Sequence, residues 1–281
     1  DGEHHEYLFY IEKADAVNYV SPLNFIGGKY DLASFFKAHM PARVDTFFDL
    51  FAGGFNVGIN MDADKIVYND INFKVRELLE YITNADIAEF YRYVVKSIQK
   101  LGLSKENKEA YMRLRDKYNG THITRRDCRD LFLLIMYGFQ QQIRFNGSLD
   151  YNNPVGQAGF NDRILEKLVS FSRITKEKKV FYYSEDYELF AERITPDDFV
   201  YADPPYLITL GSYNDGKRGF NGWNEKEERW LLAFLERLDA RGVRFMLSNV
   251  LEHKDKRNEI LREWIDRNGY NITFYGEKAR G

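Results

Sequence analysis

The chain has 281 residues, a formal net charge of −3, and 44% hydrophobic, 30% charged and 16% aromatic residues, enough for one large domain or two small ones with a sizeable core. A single cysteine, Cys128, excludes an internal disulfide framework and fits a reducing, cytoplasmic compartment, and the five histidines lack metal-ligand spacing. No apolar run of membrane-spanning length and no signal peptide is found, so neither a membrane nor a metal partner is expected.

Val44 to Phe51 reads as a buried strand. It runs into Ala52-Gly53-Gly54-Phe55-Asn56 and a helix-like Val57 to Asn60. Lys65 to Asp70 is a second short strand, feeding a helix from near Asn72 with Val75, Leu78, Leu79 and Ile82 at helical spacing. This βαβ pattern predicts a parallel sheet. The spans 85–100, 105–119 and 126–142 read as helices, the last with a strongly apolar centre. The span 144–161 is rich in Gly, Asn and Pro and predicts a loop or hairpin. The βα pattern then returns, with helices over 162–172, 225–240 and 256–268 and strands over 179–183, 198–202, 243–248 and 271–275. The expected architecture is one α/β domain, residues 1–71 and 162–281, interrupted by a helical, loop-rich insert over 72–161.

Ligands of open α/β sheets bind beyond the carboxyl ends of the strands. One such end carries Asp49 and then Gly53-Gly54, which suits close approach of a ligand or simply a tight turn. Another carries Asp70, which suits a ribose or a helix cap. A third carries Asp203-Pro204-Pro205-Tyr206. Prolines cannot give an N–H to a ladder, and they stiffen the turn. The Asp203 carboxylate and the Pro204 carbonyl then form two rigid acceptors, suited to an exocyclic amine, with Tyr206 placed to stack on the ring that bears it. That is how an extruded nucleobase is read.

Lys and Arg outnumber acids by seven to three between Arg113 and Arg144. The excess is either a solvated face or a nucleic-acid footprint. On the second reading Arg113, Arg115, Arg125, Arg126 and Arg144 dock DNA. The aromatic and apolar side chains of the glycine-containing stretch 145–152 are candidates to fill the gap left by an extruded base, unless Phe145 packs inward.

Asp203-Pro204-Pro205-Tyr206 together with Phe51-Ala52-Gly53-Gly54 resembles the Dam-like, D12-class adenine-N6 DNA methyltransferases. The resemblance extends to Asn24 to Tyr30, Tyr68 to Asn72, Ser184 to Tyr187, Arg144 to Gly147 with Asn153 to Gly156, and Ser248-Asn249, so it covers essentially the whole chain in family order. It implies a Rossmann-like fold using S-adenosylmethionine, converted to S-adenosylhomocysteine, with no metal. Phe25, Lys29, Asp49, Phe51, Gly53, Gly54, Asp70, Asp186, Tyr187 and Asp203 would line the cofactor site. Asp203 to Tyr206 would hold the adenine, and the hairpin with Asn146 and Tyr151 would face double-stranded DNA through the target-recognition insert. A restriction–modification role, with a cognate endonuclease as partner and a monomer or weak dimer as the assembly, is the matching expectation. N4-cytosine methylation and a non-catalytic DNA-binding methylase fold are the alternatives. The family's glycine motif usually reads Phe-x-Gly-x-Gly, whereas here Phe55 takes the last place, so a second ring is expected beside the cofactor. Relatives in the family often continue past the last strand with a hairpin, so Glu277 to Gly281 is expected to be incomplete or mobile.

Overall fold

Alternating apolar residues build a central sheet with a core on each face, as the two-residue period of a strand requires. The computed structural model describes residues 18–25, 29, 33–209 and 222–274. Strands β1 (Val44–Asp49), β2 (Ala63–Asn69), β3 (Val180–Tyr183), β4 (Phe199–Ala202) and β5 (Arg244–Leu247) form a parallel sheet in the order β3-β2-β1-β4-β5. Register places Phe47 opposite Ile66 on one side and Phe199 on the other. These three, with Tyr68 and Tyr201, face one core, while Phe48, Val67 and Val200 face the second.

The first core lies under α1 (Ala33–His39), α2 (Phe73–Asn84) and α6 (Asp162–Glu177) and continues into α3 (Ile87–Leu101), α4 (Lys108–Gly120) and α5 (Cys128–Tyr137). α2 buries Val75, Leu78, Leu79 and Ile82, as their spacing predicts. The segment 72–161 therefore shares a core with the sheet: Leu131 to Met136 of α5 and Tyr151 belong to the cluster that holds Phe47 and Ile66. The second core lies under α7 (Glu225–Asp239) and α8 (Glu259–Asn268).

Several boundaries differ from expectation, each for a local reason. Asp86 and Asn107 cap α3 and α4, accepting backbone N–H bonds of the first turn, so both helices start after the caps. α5 stops at Tyr137 rather than running to 142. Gly138 packs too tightly to carry a Cβ (one would lie 2.7 Å from Asn153 Nδ2), and Gln140 and Gln141 have φ of 51° and 54°. Left-handed backbone costs non-glycine residues about 1–2 kcal/mol each. α6 runs on to Glu177. Residues 256–257 pair with 252–253 in a short ribbon, and α8 starts only after its cap, Asn258. Residues 271–274 form no strand, with Phe274 74% exposed. Tyr275 and the segment 277–281 lie outside the described residues.

Candidate functional site

In this strand order the chain reverses direction between β1 and β4, where the crevice of a doubly wound sheet opens. Asp49 ends β1 and Asp203 follows β4, so the two acids flank that point. Asp49 is 1% exposed. Its Oδ2 accepts a 3.0 Å bond from the Gly58 N–H, and its Oδ1 has no partner among the described residues. Burial first, then the Gly58 bond acting in opposition and the charges of Asp203 and Asp70 reinforcing, hold its carboxyl well above the usual range. Gly58 must be glycine, because a Cβ there would sit 2.6 Å from Phe55 and 2.9 Å from Asp49 Oδ2.

The turn after β1 is held by side chains from the next strand. Asp70 Oδ2 accepts from the Gly53 N–H at 2.9 Å and Oδ1 from the Asn72 N–H at 2.7 Å. The Tyr68 hydroxyl donates to the Gly53 carbonyl at 2.9 Å. The helix cap itself is Asn72, whose side chain accepts from the Val75 N–H. Gly53 has φ of 48°, a left-handed value that favours glycine. Cβ atoms on Gly53 and Gly54 would each lie 2.7 Å from Phe25, so the close approach these glycines allow is taken up by that ring.

Phe55 corrects the expectation of a second ring beside the cofactor. It is fully buried in the first core, edge-on to Tyr68 and Phe171 and beside Tyr182. A left-handed φ of 66° turns it inward. Nor does a regular helix follow the turn, since only a short 3-10 turn spans Gly58–Asn60.

At the end of β4 the acid is already engaged. Lys29 Nζ donates to both Asp203 oxygens, at 3.1 and 2.8 Å, and the Tyr206 hydroxyl donates to Oδ1 at 2.7 Å. Lys29 Nζ also lies 5.2 Å from the Tyr206 ring centre. Burial pushes the Asp203 carboxyl above its usual range, while Lys29 and then Tyr206 pull it back. The Pro204 carbonyl receives no hydrogen bond among the described residues, as the missing proline N–H groups lead one to expect. Pro204 is buried and Pro205 half-buried beside it.

A third cluster is aromatic. Tyr187 packs between Phe51 (5.5 Å between ring centres) and Phe234 (5.1 Å), and Phe51 meets Trp223 edge-on at 5.8 Å. Asp186 is exposed and caps the short turn 187–190 by accepting from the Glu188 N–H.

Two features had no assigned role in the sequence. Asn69, 2% exposed, donates to the carbonyls of Leu50 and Glu185 and accepts from the Glu185 N–H, fastening the ends of β1, β2 and β3 together. A short polar residue ending an apolar strand was the available signal. Glu228, 1% exposed, accepts from the Trp223 indole, Asn249 and Asn258, and so fixes the wall that Phe51 leans on. Residues far apart in sequence build this network, and no local pattern points to it.

The basic set divides. Arg113, Arg125 and Arg144 are exposed, and Arg115 is half-buried with a 3.4 Å bond to the Asn153 carbonyl. Arg126 is turned inward. Its side chain is 5% exposed, and it donates to the carbonyls of Thr121, Asn119 and Leu149 and to Asp150. It staples the hairpin and presents no guanidinium to a phosphate. The wedge expectation is corrected likewise for two of the residues in 145–152. Phe145 and Tyr151 are 1% and 0% exposed, packed edge-on at 5.6 Å, and the Tyr151 hydroxyl donates to the Leu134 and Gln142 carbonyls. Asn146 spends its side-chain oxygen on the Ser148 and Asp150 N–H groups of its own turn.

A family model described as D12 class N6 adenine-specific DNA methyltransferase matches residues 25–278. The type II methyltransferase M.FokI of Planomicrobium okeanokoites is 42% identical over 292 residues, covering 96% of this chain and 44% of the relative. The modification methylase StsI of Streptococcus sanguinis is 39% identical over 276 residues, covering 93% and 41%. The DNA adenine methylase of Escherichia coli (strain K12) is 24% identical over 246 residues, covering 87% and 84%. The chain thus spans less than half the length of the first two relatives.

Proposed function

The chain belongs to the D12 class of N6 adenine-specific DNA methyltransferases, and from that premise we propose that it methylates adenine N6 in double-stranded DNA with S-adenosylmethionine as donor. The observation that carries this reading is the rigid acid–proline–proline–tyrosine turn at the switch point, whose Pro204 carbonyl accepts no hydrogen bond among the described residues and stands beside a carboxylate already ordered by Lys29. Two fixed acceptors select an amine with two N–H donors, and their charge favours the cation that forms as the nitrogen gains a substituent.

The residues present fit the donor. Asp49 Oδ1, without a partner among the described residues, the Asp70 carboxylate and the Phe51–Tyr187 wall offer a buried acceptor, a hydroxyl partner and an aromatic surface on adjacent strand ends. Phe25, Gly53, Gly54 and the exposed Asp186 complete that side. When bound, the sulfonium supplies an activated methyl group. The protein's part is to orient the amine in line with it and to exclude water. Lys29 opposes the burial that raises the Asp203 carboxyl, and Tyr206, once an amine takes its place on Asp203, offers its ring to the base.

DNA docking is assigned to the segment 72–161 through exposed Arg113, Arg125 and Arg144, with Arg115 at the margin; Arg126 and Tyr151 leave the set because they are buried. Phosphate contacts of this kind weaken steeply with salt. The names of two relatives, a type II methyltransferase and a modification methylase, support a restriction–modification setting with a cognate endonuclease. The test is incubation of the purified chain with methyl-labelled donor and duplex DNA, followed by nucleoside analysis. Label in N6-methyladenine is expected. Label in N4-methylcytosine, or none in DNA, overturns the reading.

A further inference from the structure

β5 ends the strand order next to β4, and the chain that leaves it starts beside the site. The Ser248 N–H donates at 2.9 Å to the carbonyl of Ala202, the residue before Asp203. Further on, β6 (Glu252–His253) and β7 (Lys256–Arg257) pair as an antiparallel ribbon around the turn Lys254-Asp255. Both ends of the ribbon are fastened to Glu228. Asn249 Nδ2 donates to its Oε1 at 3.0 Å and Asn258 Nδ2 to the same oxygen at 2.9 Å, while the Asn258 N–H donates to the Leu251 carbonyl at 2.9 Å. Glu228 also holds Trp223 of the aromatic wall, so the ribbon is a fixed part of the crevice rim.

Residues 252–257 are all exposed, and none has an apolar side chain to bury against another protein. Glu252 is taken up by Arg257 Nε at 3.5 Å and by Arg262 at 2.6 Å. That leaves Asp255 as the one acid for Lys254, Lys256 and His253, and His253 stands directly opposite Lys256. Among the described residues the ammonium groups of Lys254 and Lys256 make no ion pair or hydrogen bond. Lys254 also holds a left-handed φ of 54° at the first turn position, where glycine or asparagine is favoured. A lysine on unfavourable backbone at an exposed tip points to a task for its side chain.

Position in the sheet decides the partner. β2 feeds the segment 72–161 and β5 feeds the ribbon, with β1 and β4 and the acids Asp49 and Asp203 between them. At about 4.8 Å per strand, the two features stand on opposite sides of the crevice. A duplex that delivers a base into the crevice passes both. Lys254 follows Ser248 by six residues, a reach of at most about 21 Å, or about six steps of a strand at 3.4 Å each.

We propose that the β6–β7 ribbon holds the phosphate backbone of duplex DNA on the flank opposite the insert, through Lys254 and Lys256. Exposed lysines without an intramolecular partner neutralise phosphates and release their counterions. Such contacts fix the position of the duplex and carry no base information. The inference rests on the methyltransferase reading and adds a second DNA contact, outside the segment 72–161.

The test measures binding, by fluorescence anisotropy, to a duplex centred on an adenine that the wild-type chain methylates. The wild-type chain is compared with a Lys254→Asn/Lys256→Gln double variant, in which asparagine suits the left-handed turn position, and with a Lys254→Arg/Lys256→Arg variant that keeps both charges. Each phosphate contact adds about 0.9 to the slope of log affinity against log salt. Between about 50 and 200 mM salt the wild-type chain should therefore lose about twelvefold more affinity than the Asn/Gln variant, two contacts' worth. The Arg/Arg variant should follow the wild-type chain. Duplexes cut back to the target on one flank should erase the difference, and duplexes cut back on the other should keep it. Equal slopes for wild-type and Asn/Gln proteins overturn the inference alone. A difference that survives both truncations, or an Arg/Arg variant that behaves like Asn/Gln, overturns it too. No N6-methyladenine from the wild-type chain overturns the methyltransferase reading and the inference with it.

Discussion

At the scale of single residues, two acids do different work. Asp203→Ala removes the acceptor that Lys29 and Tyr206 organise. Turnover in the methyl-transfer assay should fall at least tenfold, about 1.4 kcal/mol of barrier, with the circular dichroism melt still cooperative. Retention of more than a tenth of the rate would remove Asp203 from the clamp. Asp49 acts on stability. Its folded carboxyl is held well above the usual range, with burial the largest cause. The native state therefore keeps the proton that the unfolded chain gives up. The linked stability is full below the unfolded value of about 3.9 and declines as pH rises toward the folded value. Asp49→Asn should flatten that decline in the cofactor-free protein, so that its melting temperature falls less than the wild-type value across the same acid-to-neutral range. Parallel profiles would refute the assignment. The ends of the acids' strands were legible because proline and glycine punctuate the chain at Gly53 and Pro204. The Lys29–Asp203 pair was not legible, because no spacing links residues 174 positions apart.

At the scale of elements, the hairpin after α5 depends on Arg126. One guanidinium serves the carbonyls of Thr121, Asn119 and Leu149 and the Asp150 carboxylate. Arg126→Ala should lower the free energy of unfolding by about 1–3 kcal/mol, the usual cost of leaving buried acceptors unsatisfied, because the Asp150 carboxylate it strands is a third exposed and remains solvated. Denaturant titration measures it, and a loss under about 1 kcal/mol would show that the staple is dispensable. In the sequence this residue reads as part of a basic face. Composition reports charge but not direction, and Arg125, its exposed neighbour, has the same signature. Strands and long helices were legible for a complementary reason: β1 and β2 end in short runs buried on both faces, and α2 carries its helical burial period locally. The ends of α5 and α8 were not, since a left-handed turn and a small ribbon depend on contacts with distant backbone.

At the scale of the whole molecule, the segment 72–161 and the sheet share one core, so a ligand at the strand ends should stabilise the chain as a unit. S-adenosylmethionine at about 100 times its dissociation constant should add about 2.7 kcal/mol and raise the melting temperature in a single transition. Asp70→Ala should weaken that shift at fixed ligand, because the lost carboxylate is the proposed ribose partner and also bonds the Gly53 N–H. An undiminished shift would place the donor elsewhere.

Asn69 gives the crevice a common failure point. One amide joins the chain after β1 to the chain after β3, while the opposite end of the sheet relies on ladders that do not involve it. Heat or substitution that loosens this knot frees both loops at once and leaves the sheet standing. Catalysis in Asn69→Ala should thus switch off at a temperature where far-ultraviolet dichroism still reports a folded chain, opening an interval that is narrow or absent in the wild-type protein.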